Sequence, residues 1–546
     1  MGKPRIVILG GGFGGLYTAR ALHRTFRDTA EIEVITAENY FVFQPLLPEV
    51  GAGSVTPIHA TSPYRFLLKG VGIRKAMIDS VDFAAKRVTV FQGVQRRPTE
   101  VPYDHLVVAL GQTVDLSRTP GLEAHALTMK TLEDARRLRA HVIERLEHAD
   151  ITNLPEVKRG ALTFTVIGGG FSGIETVGEM AELIDRSLKY YPNVSRDEVR
   201  IIVLEFADKV LAEMPEKLRA YAQAQLEKRG VEVCLNTGIA SATGTQITTT
   251  DGDVIDTRTV VATIGNAPAP VVKRMDLPLT QGRIAVERDL SVPGRDGVWS
   301  LGDCALIPMV EDANAREDYA PPTAQFAVRE AKQLAANIKR AVDGTALKPF
   351  EYTSKGSMAS LGARRGIADV MGIRLTGFLA WVLWRAYYVA FLPGFPAKVW
   401  VLSHWVLDWV TPRSLVNLSS PKTDASRHIR YAKGDRIYET GNRADTFFTI
   451  IEGAVEITNA KGHDGQPTTR RIEPGGHFGE RLILGATRRV ATARALEDTV
   501  VLAMGRDEFL KLTRALPALR DYFEAHLAEK GLDWAPEPDE RRDAAE

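Results

Sequence analysis

Two short apolar strands, each running into a glycine-rich turn and then a helix, predict an α/β protein with two Rossmann-like dinucleotide-binding units. Two further observations complete the expected architecture. A pair of strongly apolar segments lies between residues 375 and 410, and beyond Pro412 short alternating strands recur with regularly spaced glycines. That last texture predicts a small antiparallel barrel or jelly roll.

The first turn, RIVILGGGFGG, sets Gly10, Gly12 and Gly15 in the G-x-G-x-x-G positions, between a strand over 5–9 and a helix over 14–27. These glycines permit a tight turn and let backbone N–H groups approach a pyrophosphate at a helix N-terminus. Such a unit carries an acid at the end of its second strand, here 31–36, to bind a ribose hydroxyl. Thr36 occupies that place and Glu38 lies two residues on, so Glu38 is either the substitute or a solvated loop acid.

The second turn, LTFTVIGGGFSG, repeats the pattern with Gly168, Gly170 and Gly173, a strand over 162–167 and a helix over 173–186. Its second strand, 199–204, ends at Glu205. A carboxylate there accepts hydrogen bonds from an adenosine 2′-OH and repels a 2′-phosphate. Phe206 and Ala207 offer no cation for such a phosphate, so NADH is expected rather than NADPH. Two dinucleotides in one chain imply electrons passing between them. Apolar strands within 101–112 and 256–268 link the units. A strand within 297–301 ends in Gly302-Asp303, where the carboxylate is placed to hold ribityl or ribose hydroxyls.

At 546 residues, 45% apolar and 25% charged, the chain has material for roughly three to four domains. A net charge of +1 argues against nucleic-acid binding driven by overall charge. Cys234 and Cys304 are the only cysteines and form no C-x-x-C, so neither a redox dithiol nor a Cys-based zinc site is expected, and no metal ligand is assigned. So few cysteines fit a reducing compartment. The first strand begins close to Met1, which leaves no room for a signal peptide, and Ile6 stands where a myristoylation signal needs Ser or Thr. A cytoplasmic start is expected.

Segment 375–392 is apolar apart from Arg385, with Trp381, Trp384, Tyr388 and Phe391 on one helical face. Pro393 and Pro396 stop it, and the central Arg385 argues against a membrane span. Over 399–410, Val399, Leu402, Trp405, Val406 and Trp409 share a face, with His404 and Asp408 opposite and Lys398 and Arg413 as brackets. Tryptophans with flanking cations suit an amphipathic helix lying in the headgroup plane. A dimer contact or a core helix is the plainer alternative.

The order of these motifs resembles the two-dinucleotide-binding flavoproteins, in which a NAD domain is inserted within an FAD domain. Over about residues 3–413, NYFVFQPLLPEVGAG (39–53), PPTAQFAVREAKQLAANI (321–338) and the stretch 352–389 resemble type II NADH:quinone oxidoreductases. The resemblance implies an FAD domain at 1–115 and 266–350, an NADH domain at 116–265 and a membrane-anchoring region at 351–413. It assigns Gly10, Gly12, Gly15, Gly111 and Asp303 to FAD, and Gly168, Gly170, Gly173, Glu205 and Gly265 to NADH. Glu175 matches a family glutamate near the nicotinamide–flavin contact; it either orients the nicotinamide or moves a proton, or only satisfies backbone donors at its helix start.

By the same resemblance, hydride passes from NADH to the flavin, and a membrane quinone takes the electrons without proton pumping. Quinone approaches past Ala324, counted among the cofactor contacts, and Gln325. The family's second glutamine, four residues on, is Arg329 here, a cation beside the quinone or a reshaped pocket. Lys355, in a Y-x-x-K-G context, is expected near the flavin ring. A homodimer peripheral to the cytoplasmic face of the membrane is implied too. Sulfide:quinone and thioredoxin-type reductases lack support because their cysteines are missing. A soluble or protein acceptor remains as the alternative, as does a nucleotide-sensing redox switch that acts through partner contacts.

After a linker over 414–427, residues 428–530 resemble a cyclic nucleotide-binding domain, ahead of a charged tail over 531–546 expected to be disordered. The resemblance rests on F-G-E followed by arginine, with Gly479, Glu480 and Arg489. It implies that Glu480 accepts the ribose 2′-OH and Arg489 pairs with the cyclic phosphate of cAMP. Leu482, in place of a small residue, and Val490, in place of a hydroxyl, depart from the pattern and leave open a barrel that serves only contacts.

Overall fold

The computed structural model describes residues 2–417, 426–459, 468–480 and 488–528. The expected tail over 531–546, Leu482 and most of the linker lie outside the described residues.

Strand β1 (Arg5–Leu9), helix α1 (Phe13–Phe26) and strand β2 (Glu31–Thr36) build the first unit as the periodicity predicts. Its seven-stranded sheet runs Val298–Ser300, His105–Val108, β1, β2, Gly72–Asp82, Arg87–Gln92 and Arg97–Pro102. Pairing is parallel as far as Gly72–Asp82 and antiparallel beyond it. The second unit repeats the plan with β3 (Thr163–Ile167), α2 (Phe171–Ser187) and β4 (Arg200–Leu204) in a five-stranded parallel sheet. Both central strands are buried on each face, which is why they read as continuous apolar runs. The chain leaves the first unit through Gln112–Val114 and returns through Asn266–Pro268, and these two segments pair antiparallel.

Helix α3 (Ala324–Val342) packs along α1. A three-stranded sheet, Gly356–Ser360, Gly366–Val370 and Ile373–Thr376, then leads into α4 (Gly377–Phe391) and α5 (Phe395–Leu407). The apolar segment expected from residue 375 is thus divided: Leu375 and Thr376 finish a strand, and Gly377, at φ +72°, turns the chain into the helix. The second helix starts at Phe395, earlier than predicted, because Pro396 sits in its first turn, where a missing N–H costs nothing.

The expected faces of α5 need one correction. Val399, Leu402, Val406 and Trp409 are exposed, Val406 at 69%, but Trp405 is only 5% exposed and points inward. Its indole N–H has an acceptor inside the protein, Glu49, which draws it off the apolar stripe. His404 and Asp408 also face the protein: His404 Nε2 lies 2.8 Å from His59 Nδ1, and Asp408 accepts from Arg186 at 2.8 Å. The inward seam of this helix is Ala397, Val401 and Trp405, with His404 and Asp408 half-buried beside it, and a second apolar side is left outside. Among the described residues no helix is long and apolar enough to cross a membrane.

The C-terminal domain is a barrel of two four-stranded antiparallel sheets filled by Phe448, Ile450, Val455, Phe478 and Val501. Helices Arg506–Ala515 and Pro517–Ala528 cover one end through Phe509 and Phe523, which pack on Phe447. The barrel docks on the second unit just beyond the two-strand link. The Arg430 backbone N–H donates to His125 Nε2 at 3.0 Å, and the Thr245 hydroxyl donates to Asp435 at 3.5 Å.

Burial pushes the His125 imidazole from 6.5 down to about 4, with Arg427 and Arg430 adding repulsion. A docked imidazole is neutral, whereas a released one titrates at its ordinary value. The docking stability is therefore full above pH 6.5 and is lost as pH falls through about 4. Small-angle scattering is expected to show the barrel leaving the second unit across that window; a particle size constant through it would contradict the assignment.

Candidate cofactor and acceptor site

Each glycine turn divides its work in the same way. Gly10 (φ +99°) and Gly168 (φ +106°) take a backbone conformation that side chains rarely adopt. A Cβ on Gly15 would collide with the Gly10 carbonyl, and one on Gly173 with the Gly168 carbonyl, so these third glycines let helix and strand close up. Gly12 and Gly170 differ: an added Cβ there meets nothing within 4 Å. Each turn thus leaves open space at the N-terminus of α1 or α2, where a pyrophosphate fits.

Glu205 lies at the end of β4, where its Oε2 accepts the Gly169 N–H at 2.5 Å and its Oε1 the Ala207 N–H at 2.8 Å. Glu38 is exposed and lies 3.9 Å from Lys75. In the first unit Tyr64 takes the place beside the turn that a strand-end acid would hold. Its hydroxyl donates to the Gly11 carbonyl at 2.6 Å, next to the Thr36 hydroxyl. Tyr64 lies in an apolar stretch without a motif, and nothing in the sequence marks it.

Asp303 sits in a tight turn, Gly302–Cys304, that α3 holds from behind: the Gly302 N–H donates to Glu330 at 2.8 Å. Burial, reinforced by Asp303, pushes the Glu330 carboxyl up to about 8. Gly111 (φ +63°) borders open space, whereas Gly265 packs against the Asp115 carbonyl in the link between the units. Cys304 is buried and Cys234 half-buried, and both thiols are free.

At the start of α3, Ala324 and Gln325 follow the N-cap Thr323. Gln325 donates to the Ser354 hydroxyl at 3.0 Å, beside Lys355, whose side chain is exposed. Arg329 donates back to the Gln325 carbonyl at 3.0 Å and lies 5.1 Å over the Tyr352 ring and 6.0 Å over Phe391. Glu330, adjacent on the helix, faces the opposite way into the core. Gln325, Arg329 and the backbone of Lys355 therefore share one corner, with Tyr17 and Phe391 stacked beside them at 6.1 Å.

Glu175 lies deeper. Its Oε1 accepts from the Ser360 backbone N–H at 3.0 Å and from Trp384 Nε1 at 3.1 Å. Burial pushes its carboxyl up to about 8, and nearby Glu49 adds to the rise. Both donors come from distant segments, so Glu175 is not satisfying its own helix start. Trp384 and Phe391 are two turns apart on α4, roughly 10 Å, so one helix joins Glu175 to the Arg329 corner. Around Glu175, Glu49 pairs with Arg385 at 3.0 Å, and Arg413 pairs with Asp408 at 3.1 Å, Glu182 at 3.3 Å and Glu179 at 3.7 Å. Sequence patterns do not mark Glu49, Glu179 or Ser360, because their partners come from remote segments. Arg413, expected as an outer bracket of α5, is instead buried among Glu179, Glu182 and Asp408, whose charges hold it inside.

Two parallel-sheet units with open glycine cradles, an inserted second unit and no paired cysteines define a two-dinucleotide oxidoreductase. Residues 4–331 match the pyridine nucleotide-disulphide oxidoreductase family, 354–414 the NDH2 C-terminal domain and 428–515 the cyclic nucleotide-binding domain. The type II NADH:quinone oxidoreductase Ndh of Mycobacterium tuberculosis is 31% identical over 75% of this chain and 89% of its own length. The demethylphylloquinone reductase NdbB of Synechocystis is also 31% identical, over 75% of this chain and 98% of its own. The chain belongs to the type II NADH:quinone oxidoreductases. Among solved structures, NDH2 of Plasmodium falciparum in complex with NADH shares the fold with a TM-score of 0.69 at 18% identity, covering 76% of this chain and 100% of that one.

The two kinds of glycine separate in experiment. Gly15→Ala is expected to destabilise the protein by about 1–3 kcal/mol through overpacking. Gly12→Ala, at φ −66°, keeps the melting temperature of the flavin-free protein but lowers bound flavin after purification. Equal flavin content in Gly12→Ala and the parent would contradict the cradle.

Proposed function

We propose that the protein oxidises NADH and passes the electrons through FAD to a quinone in the membrane, without moving protons across it. Gly10, Gly12, Gly15, Gly111, Asp303 and Ala324 would hold FAD, with Tyr64 and Thr36 beside the turn where Glu38 was the sequence candidate. Gly168, Gly170, Gly173, Glu205 and Gly265 would hold NADH. Bound FAD supplies the two-electron relay between the nicotinamide and the quinone. Quinone takes up two electrons and two protons per quinol, so the protein must supply protons as well as orient its substrates. Glu175, held up near neutral pH, is suited to hold or move one of them. Arg329, fixed by the Gln325 carbonyl and two rings, sets a cation beside the quinone oxygen on which negative charge develops.

The observation that carries the membrane half of this reading is the apolar face that α4 and α5 leave exposed. Phe378, Leu379 and Val382 on α4, with Phe395, Val399, Trp400, Val406 and Trp409 beyond, are exposed together. An apolar face of this size with a tryptophan rim and flanking Lys398 suits monotopic insertion at the headgroup level. Part of it lies on α4, which reaches the Arg329 corner through Phe391, so quinone enters from lipid. A soluble acceptor would leave this face without a purpose. The short-chain quinone assay tests the reading: NADH oxidation should accelerate several-fold on adding quinone, and no acceleration would overturn the acceptor. Arg329→Gln is expected to raise the quinone KM about 3- to 10-fold with little change in the NADH KM.

The barrel adds a regulatory reading. Arg489 is buried, lies 4.2 Å over the Tyr438 ring and donates to the Gly479 carbonyl at 3.3 Å and to the Thr446 carbonyl. A cyclic phosphate pairing with it would draw the guanidinium from those carbonyls. Docking of the barrel beside the two-strand link gives such a change a route to the NADH unit. Calorimetric titration of the full protein with cAMP should give a heat that Arg489→Ala abolishes; no heat from either would leave the barrel a contact module.

A further inference from the structure

We propose that Trp384 is a positioning residue for Glu175, tying the outward-facing apolar helix α4 to the proton-handling group beneath it. This rests on the reading of Glu175 given above. An indole in a core needs an acceptor for its N–H, and Trp384, 1% exposed, finds it in Glu175 Oε1. The Ser360 N–H falls on the same oxygen, so the two carboxylate oxygens are inequivalent.

What compensates the charge of Glu175 is unusual for its surroundings. The nearby cations are committed elsewhere: Arg385 to Glu49, and Arg413 to Glu179, Glu182 and Asp408. Tyr388 stands edge-on to Trp384 at 4.5 Å and faces Glu175, and Glu49 faces it from another element. Glu179, one turn along α2, is reached through the Ser360 hydroxyl at 3.5 Å. Among the described residues Glu175 is therefore surrounded by neutral or negative groups, and the Ser360 and Trp384 N–H groups are what favours its ionised form. One of them belongs to α4, whose other side carries the exposed Phe378, Leu379 and Val382. Any shift of that helix against the body changes how Glu175 is held.

Trp405 provides an internal comparison. It donates to Glu49 at 2.8 Å, but Glu49 also has Arg385. Losing the Trp405 N–H leaves a paired carboxylate; losing the Trp384 N–H leaves an unpaired one with a single donor.

The experiment is the pH profile of quinone-dependent NADH oxidation by flavin-loaded full-length protein. Removing a donor to the ionised form raises the pKa, so in Trp384→Phe the Glu175 limb should move upward by about one pH unit. Trp405→Phe should leave its midpoint in place. Trp384→Phe with an unmoved limb, where Glu175→Gln abolishes it, overturns the role of Trp384 alone; a limb that survives in Glu175→Gln overturns the reading of Glu175. A second measurement needs no tryptophan variant. In protein labelled with 15N-tryptophan, one indole resonance should titrate with the activity limb and stop titrating in Glu175→Gln, and the absence of such a resonance overturns the proposal.

Discussion

Glu49, Glu175 and Glu179 are buried together beneath the two apolar helices, and the arrangement of the site depends on how they are compensated. Taking a carboxylate out of water costs several kcal/mol unless partners make it up. Here Arg385, Arg413, two indole N–H groups and the Ser360 backbone do so. Helix α2 puts Glu175, Glu179 and Glu182 on one face by helical spacing, and α4 and α5 bring the answering groups. Moving either apolar helix would expose a carboxylate to an apolar surround without its partner. The outer helices are therefore fixed to the dinucleotide units by polar contacts, which frees their apolar sides to face outward.

That division explains why the fold was largely legible in the sequence and the site only partly so. Strands β1 and β3 and the turns after them carry local signals: continuous apolar runs, and glycines at positions where a Cβ collides or a positive φ is required. The strand-end place of Glu205 was legible because a strand end is a local feature. The pairs Trp384–Glu175 and Trp405–Glu49 are 209 and 356 positions apart, and no periodicity reports them. The misplacement of Trp405 has the same cause: hydrophobic spacing put it with the outward stripe, whereas the acceptor that draws it inward lies on a remote segment. Tyr64 beside Gly11 is likewise a tertiary solution to a position that a strand-end acid would otherwise hold.

The C-terminal barrel is likewise held to the dinucleotide units by polar contacts. It contacts the enzyme at His125 and Thr245, just past the strands through which the second unit departs from the first. Polar contacts of this kind suit a contact that forms and releases.

The most direct test of the whole account is anaerobic rapid mixing of flavin-loaded protein bound to vesicles that carry a long-chain quinone. NADH should bleach the flavin absorbance, and the bilayer quinone should restore it at a rate that sustains turnover, with restoration lost when quinone is left out of the vesicles. Flavin that is bleached by NADH but stays reduced beside quinone-loaded lipid would contradict electron transfer to a membrane acceptor.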